Sequence, residues 1–290
     1  MSLITEFDPW RSALCTCPSK LTFNPYTGCD HTCAYCYASR YVPRFFSCRP
    51  KKDLIPRLKR EASKLKGEIV SISNSSDPYP NVEAKTGLMR ECLEILSRSN
   101  CRIQIITKSD LVVRDVDLLK KVPSMVSMTV TTENDDVAKR IEPNAPPPSE
   151  RMKAMKTLIT EGIPTSARID PIIPFINDDP EKLIRRLAST GVKHVTTSTY
   201  KAKPDNWKRL NEALPETAEK LESFYFREGE SIAGYRFLSR DLRLGLMKRI
   251  GTLTEKNGMK FGTCREGLSY LNTGTCDGSW LMEKTRQSGV

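Results

Sequence analysis

Short runs of β-branched residues alternate along the chain with amphipathic segments, and this alternation limits the fold more than any other feature. Gly, Pro, Asn and Ser residues separate the two kinds of segment. The runs predict strands at Leu21–Phe23, Glu68–Ser73, Arg102–Thr107, Met125–Thr131, Thr165–Ile173 and Lys193–Thr199. The amphipathic segments predict helices at Leu54–Leu65, Gly87–Ser97, Val112–Lys121, Ser149–Glu161 and Glu181–Ser189.

A strand-then-helix order repeated about six times predicts an α/β protein with a parallel sheet, because parallel strands need helical crossovers. Right-handed crossovers would curl this sheet into a partial (β/α)6 TIM-like barrel. We expect this core at residues 21–200, between a short N-terminal extension at 1–20 and a helical and irregular C-terminal region at 201–290. In the last region, longer helices are predicted at Lys203–Leu221 and Leu238–Asn257. Active residues should follow the carboxyl ends of the strands.

The composition indicates a cytoplasmic protein. The 290 residues contain no run of about 18 apolar residues that could cross a bilayer, and Met1–Trp10 lacks the basic start and apolar core of a signal peptide. In a reducing compartment, the ten cysteines should be metal ligands, catalytic thiols or buried residues rather than disulfides. The formal net charge of +11 favours a DNA or RNA partner, although many basic enzymes bind no nucleic acid. The lack of a bilayer-crossing run leads us to expect no membrane partner.

Three cysteines, Cys29, Cys33 and Cys36, lie within eight residues after the first strand and directly follow Gly28. Three thiols so close together can converge on one metal site. A tetrahedral structural zinc needs four protein ligands, whereas an iron–sulfur cube held by three thiolates leaves one iron open for a small molecule. The alternatives are zinc with His31 or another cysteine as the fourth ligand, or buried structural thiols.

The spacing C-x3-C-x2-C, with Tyr35 directly before the last cysteine, resembles the signature of the radical SAM superfamily. Over Leu21–Thr199 the chain is similar to the branch related to spore photoproduct lyase, often labelled DNA repair photolyase. The similar segments are Asn24–Cys29, Ser73–Tyr79, Thr107–Ser109, Glu142–Pro143 with Arg151, and Pro171–Pro174. The resemblance implies that the three cysteines hold a 4Fe–4S cluster, that S-adenosylmethionine binds its open iron, and that Tyr35 lies beside the adenine.

Further cofactor-binding residues are predicted at the ends of the next two strands. Ser73, Ser75 and Asp77 follow one strand, where the resemblance implies that they support the methionine amino group; a plain turn is the alternative. Lys108 follows the next strand, and the resemblance implies that it pairs with the methionine carboxylate. A solvated lysine is the alternative to this role.

Three more positions bear on the chemistry. Arg168 lies in an apolar strand and would be costly to bury unpaired, so it should bind cofactor or substrate, or form an ion pair with Asp170 or Glu142. Asn74 stands where spore photoproduct lyases carry the cysteine that returns a hydrogen atom to the product radical. Tyr79 is a candidate catalytic residue that could donate instead, although a tyrosine in Asp-Pro-Tyr-Pro is also typical of packing.

Four cysteines lie nearer the chain ends, Cys15 and Cys17 before the motif and Cys264 and Cys276 in a Gly-rich tail. No helix or strand pattern explains them. Four thiols are the number that a second iron–sulfur cluster or a zinc ion requires, so a second metal site is predicted there. The alternative is that one of them is a hydrogen donor. The remaining cysteines are predicted to be core residues: Cys48, Cys92 and Cys101.

A radical enzyme acting on nucleic acid is the function that these features favour. The resemblance implies that a reduced cluster cleaves S-adenosylmethionine, and that the 5′-deoxyadenosyl radical abstracts hydrogen from a substrate, in DNA repair or RNA modification. An external donor such as ferredoxin or flavodoxin would supply the electron. The alternatives are the same chemistry on a peptide, protein or small molecule, and a zinc-stabilised nucleic-acid-binding module without catalysis.

Overall fold

The computed structural model describes residues 2–7 and 14–284 of the chain. The strands are β1 (Thr5–Glu6), β2 (Leu21–Phe23), β3 (Tyr26–Thr27), β4 (Arg49–Pro50), β5 (Glu68–Ile72), β6 (Cys101–Thr107), β7 (Ser124–Thr129), β8 (Thr165–Ile172), β9 (His194–Thr199), β10 (Glu230–Ile232), β11 (Tyr235–Phe237) and β12 (Lys260–Thr263). The α-helices are α1 (Leu54–Ala62), α2 (Glu83–Thr86), α3 (Leu88–Leu96), α4 (Val116–Leu119), α5 (Asp135–Ile141), α6 (Pro148–Thr160), α7 (Glu181–Thr190), α8 (Pro204–Ala213), α9 (Pro215–Glu222), α10 (Arg240–Lys256) and α11 (Leu281–Lys284).

The main sheet adds its strands in chain order. Its order is β1-β2-β5-β6-β7-β8-β9-β12, with β1 antiparallel to β2 and every later pair parallel. Within residues 2–7 and 14–284, no hydrogen-bonded pairing joins β12 to the opposite edge, so the sheet stays open. This arrangement confirms the predicted partial α/β barrel.

The C-terminal region contributes one more parallel strand than the sequence pattern predicts. All six predicted strands form, and β12 then pairs with β9 after the crossover helix α10. The sheet therefore extends past residue 200 at one edge and into the N-terminal extension, through β1, at the other. β12 is only four residues long and contains a lysine and a glycine, so it lacks the β-branched pattern of the other strands.

Two predicted helices differ from the structure for local reasons. The predicted helix over Lys203–Leu221 is divided into α8 and α9 at Pro215, because proline has no amide hydrogen and its ring disfavours a helical conformation for Leu214. The predicted helix over Val112–Lys121 starts as a 3-10 turn at Asp110–Asp115 and continues as the short α4. No helix in the described residues is long and apolar enough to cross a bilayer.

Two apolar clusters position the loops at the carboxyl ends of the strands. The larger packs the sheet against α1, α3, α6, α7 and α10, and it includes Cys92 and Cys101, as predicted for core residues. The smaller packs Leu210 of α8 and Leu221 of α9 against Tyr35 in the cysteine motif. The C-terminal helices thus cover the motif loop. Cys48 is half-buried beside that loop.

Candidate active site

One cavity gathers nearly all of the residues that the sequence singles out. Its wall consists largely of the loops that follow the parallel strands, as expected for a barrel of this kind. The predicted site residues that line it are Cys15, Cys17, Cys29, Cys33, Tyr35, Cys36, Ser73, Ser75, Asp77, Lys108, Arg168, Cys264 and Cys276. Tyr79 is the predicted site residue that does not line it.

A tight turn brings the motif cysteines to this wall. Gly28 has φ +83°, and a Cβ there would lie 2.2 Å from the Phe45 carbonyl oxygen, so only glycine fits. The Cys29 amide donates to the same oxygen at 2.8 Å. Cys29 and Cys33 are buried, and Cys36 is half-buried. The turn therefore fixes the first cysteine against a second loop and holds the motif in place.

Backbone amides point at two of these sulfur atoms. Burial raises the pKa of the Cys29 thiol well above its usual value, and Asp77 and Cys33 add to this rise, while hydrogen bonds from the His31 and Asp77 amides oppose it. Two amides of the following turn act in the same way on Cys36. Amide donors stabilise a thiolate, which is the form that binds iron. The local donor set fits a thiolate-bound cluster.

A 4Fe–4S cluster and a single metal ion require different distances between the thiol sulfurs. In the described ranges, no three His, Cys, Asp or Glu side chains converge closely enough to hold one metal ion. A tetrahedral zinc would bring each pair of thiolate sulfurs to about 3.8 Å, given a Zn–S bond of about 2.3 Å. An iron–sulfur cube spreads its ligands over several iron atoms and needs wider spacing. As placed in the structure, the motif cysteines form no single-ion site with His31 or a fourth cysteine among the described residues.

A buried ion pair holds the Tyr35 side chain. The Tyr35 hydroxyl donates to Glu142, which also accepts from Thr131 at 2.6 Å, and Arg151 Nη2 lies 2.6 Å from Glu142 Oε2. Both charged side chains are 0% exposed. Burial alone would raise the pKa of Glu142, but Arg151 and Lys108 lower it to about 2. The carboxylate therefore stays charged and fixes the ring of Tyr35 in the cavity wall.

Asp77 joins the ends of two strands. Its carboxylate accepts hydrogen bonds from the Thr107 hydroxyl at 2.7 Å, the Lys108 amide at 2.7 Å and the Tyr79 amide at 3.0 Å. These contacts order the loop after β5 against the loop after β6. Ser75 lies exposed on the same loop. Asp77 therefore positions its neighbours, and its carboxylate is already occupied by protein donors.

Two buried polar atoms in the cavity wall, Ser73 Oγ and His31 Nε2, have no hydrogen-bond partner in the described part of the chain. Such orphaned groups are costly unless a ligand satisfies them. Lys108 lies nearby, with its ammonium 5.5 Å from the ring centroid of Tyr35. Burial alone would lower the pKa of Lys108, but Cys33 and other anionic neighbours raise it, so it is a cation. Orphaned polar groups beside a cation fit an anionic group of a ligand, such as a carboxylate.

Arg168 forms an ion pair in the cavity wall. Arg168 Nη2 lies 2.5 Å from Asp170 Oδ2, and the Ser198 hydroxyl donates to Asp170 at 2.5 Å. Asp170 is thus the predicted partner that the structure provides, while Glu142 pairs with Arg151 instead. Because Arg168 and Asp170 are two residues apart on one strand, they share a face and both line the cavity.

The two hydrogen-donor positions differ in access to the cavity. Asn74 lines it, and its amide nitrogen donates to Thr22 Oγ1 at 2.9 Å. Tyr79 is fully buried, and burial together with the neighbouring Asp115 raises its pKa well above its usual value. Because its side chain is absent from the cavity wall, direct transfer from Tyr79 to a substrate would require a movement of the loop.

The four remaining cavity thiols come together from the two ends of the chain. Cys17 Sγ lies 3.4 Å from Cys276 Sγ, and the Cys15 thiol contacts Cys17. Cys264 lies close enough to Cys17 to contribute to the raised pKa of the Cys17 thiol. The structure thus places all four thiols in the wall of one cavity, and the second metal site that the sequence predicts there stays a prediction.

Several cavity residues were missed by the sequence analysis. Lys201 follows β9 and its ammonium lies 2.8 Å from Glu266 Oε1; the signal that marked Lys108, a lysine after a strand, applies to it equally. Arg265 follows β12, so it was missed together with that strand. Tyr37, in the cysteine motif, packs edge-on against Tyr235 of the β10–β11 hairpin, with centroids 6.1 Å apart. A hairpin outside the barrel pattern gave no signal.

Comparisons of sequence place the chain among known proteins. A family model described as the radical SAM superfamily matches residues 23–214. An uncharacterized protein of Methanocaldococcus jannaschii is 36% identical over 167 residues, which cover 55% of this chain and 63% of that protein. A protein named radical SAM Nα-GlyT isomerase, from Pseudomonas phage M6, is 23% identical over 290 residues, covering 93% of this chain and 58% of that protein. The chain thus spans less than two thirds of these relatives.

Among solved structures, a spore photoproduct lyase variant with bound AdoMet and dinucleoside spore photoproduct is similar in fold. The TM-score is 0.64 at 13% sequence identity, covering 82% of this chain and 72% of that chain. At this identity the likeness concerns the fold, and it agrees with the open parallel barrel described above.

Proposed function

The chain belongs to the radical SAM superfamily and is a radical SAM enzyme, and we propose that its substrate is a nucleic acid. Membership implies a 4Fe–4S cluster and S-adenosylmethionine. When bound, these groups supply a 5′-deoxyadenosyl radical that abstracts a hydrogen atom from the substrate. The alternative of a zinc-stabilised binding module without catalysis does not hold for a member of this family.

Cys29, Cys33 and Cys36 would hold the cluster, because all three line the cavity and two of them, Cys29 and Cys36, receive backbone hydrogen bonds. Lys108 would pair with the methionine carboxylate, since it is the cation beside the motif. Ser73 would donate its orphaned hydroxyl to the same ligand. Each of these roles uses a group that the protein itself leaves unsatisfied or charged.

The adenosine end of the cofactor would lie between Tyr35 and the Arg168–Asp170 pair. Tyr35 is held in the cavity wall by Glu142, so it offers a fixed ring to the adenine. Asp77 and Ser75 would contribute through the loop that they shape, with Asp77 acting as a positioning residue. Loss of S-adenosylmethionine binding in Lys108→Met, with binding retained in Lys260→Met outside the cavity, would support this assignment.

The proposal of a nucleic-acid substrate depends on the cations and aromatic rings beside the cavity. Lys203 Nζ lies 4.1 Å from the ring centroid of Tyr235 and 4.9 Å from that of Tyr41, and the Arg265 guanidinium lies 5.2 Å from Tyr235. Cations bind phosphates, and the exposed Tyr41 offers a ring on which a base could stack, whereas Tyr235 is buried and serves as a platform for the two cations. The net charge of +11 acts in the same direction. The spore photoproduct lyase of similar fold holds a dinucleoside.

Binding of single-stranded DNA and RNA oligonucleotides across a salt series would test this proposal. We expect log affinity to fall linearly with log salt, because phosphate binding releases counterions. Lys203→Ala should weaken binding, with a shallower salt slope. Lys260→Ala is the matched control, since its ammonium lies over Trp280, outside the cavity. No oligonucleotide binding, together with 5′-deoxyadenosine formation stimulated only by peptides or metabolites, would assign a different substrate class.

The setting of the enzyme completes the proposal. An external donor such as ferredoxin or flavodoxin would deliver the electron. We expect a cytoplasmic protein, because a reduced cluster and ten thiols persist in a reducing compartment. The cofactors also include a second metal centre at the four thiols near the chain ends, either an iron–sulfur cluster or zinc. The reaction on the substrate would be a DNA repair or RNA modification step.

A further inference from the structure

We propose that Cys15, Cys17, Cys264 and Cys276 bind a second iron–sulfur cluster, at a site that opens into the same cavity as the motif thiols. The inference depends on these residues and not on the nature of the substrate. All four side chains line the cavity. The site would therefore lie in the same wall as the radical chemistry, and not in a remote structural module.

Cys17 is the centre of the group. Its sulfur lies 3.4 Å from that of Cys276, which is 259 positions away in the sequence. The Cys15 thiol contacts it from the same segment, and Cys264 is within electrostatic range. Two largely irregular segments thus place four soft ligands around one volume. Soft thiolates of this number select iron–sulfur clusters or zinc.

A buried ion pair holds the two cysteine-bearing segments together. Lys20, three residues after Cys17, has its ammonium 2.6 Å from Asp277, which directly follows Cys276, and these side chains are 1% and 4% exposed. The same ammonium donates to Gln104 Oε1 at 3.1 Å. A buried pair contributes little net stability but fixes one arrangement of the groups that it joins. Here it fixes the distance between the two thiol segments.

The tail around Cys276 is packed too closely for ordinary side chains. A Cβ on Gly262 would lie 2.9 Å from the Cys276 carbonyl oxygen, and one on Gly274 would lie 2.8 Å from Trp280 Nε1. Thr196 Oγ1 donates to the same Cys276 oxygen at 2.9 Å. The backbone of Cys276 is therefore held against the sheet by β9 and β12. A mobile tail would need neither these glycines nor these contacts.

Positive charges lie beside the thiols. The buried Lys20 ammonium lies 2.6 Å from Asp277, next to Cys276 in the sequence, and the Arg168 guanidinium hydrogen-bonds the Cys264 thiol. Such cations favour thiolate over thiol, which metal binding requires. In contrast, Cys92 and Cys101 are packed among apolar side chains of the main core. The four cavity thiols thus have an environment suited to ligands, whereas the core cysteines do not.

A cluster fits the position of this site better than zinc. Cys17 and Cys276 lie 3.4 Å apart, while the four thiols together form no single-ion site within the described residues. A cluster also explains why the site opens into the cavity, since a structural zinc is normally enclosed by its four ligands.

Iron and acid-labile sulfide in anaerobically reconstituted protein would test the inference. In Cys29→Ala/Cys33→Ala/Cys36→Ala we expect about half of the iron and sulfide of the wild type, with a cluster absorption that does not respond to S-adenosylmethionine. In Cys15→Ser/Cys17→Ser/Cys264→Ser/Cys276→Ser we expect the complementary half, with its response to S-adenosylmethionine retained. Cys92→Ala is the control and should keep the full content.

The outcomes separate this inference from the proposed function. An iron-free triple variant, or one that contains only zinc or a Cys17–Cys276 disulfide, would overturn the second cluster and leave the radical SAM function intact. If the quadruple variant is poorly folded, protection of the four thiols from alkylation in the wild-type holoenzyme decides. Protection lost on iron chelation in the triple variant would support the cluster, while alkylation before chelation would overturn it.

Discussion

The chain carries two groups of cavity thiols, and they are built in opposite ways. The motif thiols lie within eight residues, and a glycine turn at Gly28 together with nearby backbone amides directs them. The thiols near the chain ends come from segments about 250 residues apart, and a buried ion pair between Lys20 and Asp277 holds them together. The first group is local and needs one loop. The second group needs the finished barrel.

This difference predicts how each group of thiols should respond to amino-acid substitutions. The motif loop has its own supports, the Tyr35–Glu142–Arg151 network and the covering helices α8 and α9. The second group depends on long-range contacts of the tail with β9 and on Lys20. A substitution in the contacts that support one group of thiols should therefore disturb that group and leave the other group unchanged.

The largest effect is expected at the motif itself. Cys33→Ala should reduce 5′-deoxyadenosine formation by at least about 1,000-fold, because a group that acts as a unit fails when one member is lost. Product release under anaerobic reduction, followed by chromatography, measures this. Cys101→Ala, in the main core, is the control and should retain activity. Substantial activity in Cys33→Ala would break the comparison, since the motif would then not be the reactive site.

Breaking the support of the motif should cost stability as well as activity. Glu142→Gln leaves Arg151 charged and fully buried without its partner, for which we expect a loss of about 3–5 kcal/mol in the free energy of unfolding. Urea denaturation measures this change. Glu150→Gln breaks the exposed pair with Lys153 and should leave the free energy of unfolding almost unchanged. Equal effects of the two substitutions would mean that the buried network does not support the motif.

The equivalent change beside the second group should be somewhat smaller. Asp277→Asn leaves Lys20 without its carboxylate partner, while Gln104 still accepts a hydrogen bond from the Lys20 ammonium. We therefore expect a loss of about 3 kcal/mol in the free energy of unfolding. When Asp277→Asn is added to the triple motif variant, the iron content of that variant should fall. If the substitution lowers the iron of the motif cluster instead, the two groups are not independent.

The smallest effect concerns pH at the tail. Trp280 Nε1 donates to His194 Nδ1 at 3.2 Å. Burial lowers the pKa of His194 to about 4, with Arg168 and Lys260 acting in the same direction and Asp277 opposing them. The unfolded state then binds more protons between pH 6.5 and 4, so this contribution to stability is lost as pH falls through that window. We expect the free energy of unfolding to fall by about 2 kcal/mol between pH 7.5 and pH 5 through this group.

Urea denaturation of the wild type and of His194→Gln at the two pH values would measure this loss. The substituted protein should lose about 2 kcal/mol less than the wild type on acidification, because it lacks the titrating group. Asp277, whose pKa burial would raise but Lys20 lowers to about 2, remains charged across this range and does not contribute. Identical pH dependence of the two proteins would remove His194 as the cause.

The sequence predicted the parts of the molecule whose signals are local. The strands of the barrel and the motif thiols follow from periodicity and spacing over a few residues. β12 and the β10–β11 hairpin were not predicted, because short strands acquire their conformation from neighbours that are distant in the chain. The pairing of Glu142 with Arg151 instead of Arg168 likewise depends on tertiary placement. The meeting of Cys17 and Cys276 could be predicted only by counting thiols.

The contact between residues 17 and 276 also sets an order of events during synthesis. The ribosome adds residue 276 long after residue 17, since they are 259 positions apart. The barrel up to β9 can therefore fold while Cys17 still lacks its partners. Closing so long a loop early would be entropically costly, and a preformed sheet removes most of that cost. Iron delivery to the motif can therefore precede the synthesis of Cys276, whereas any metal bound by the four thiols that include Cys17 and Cys276 must follow it.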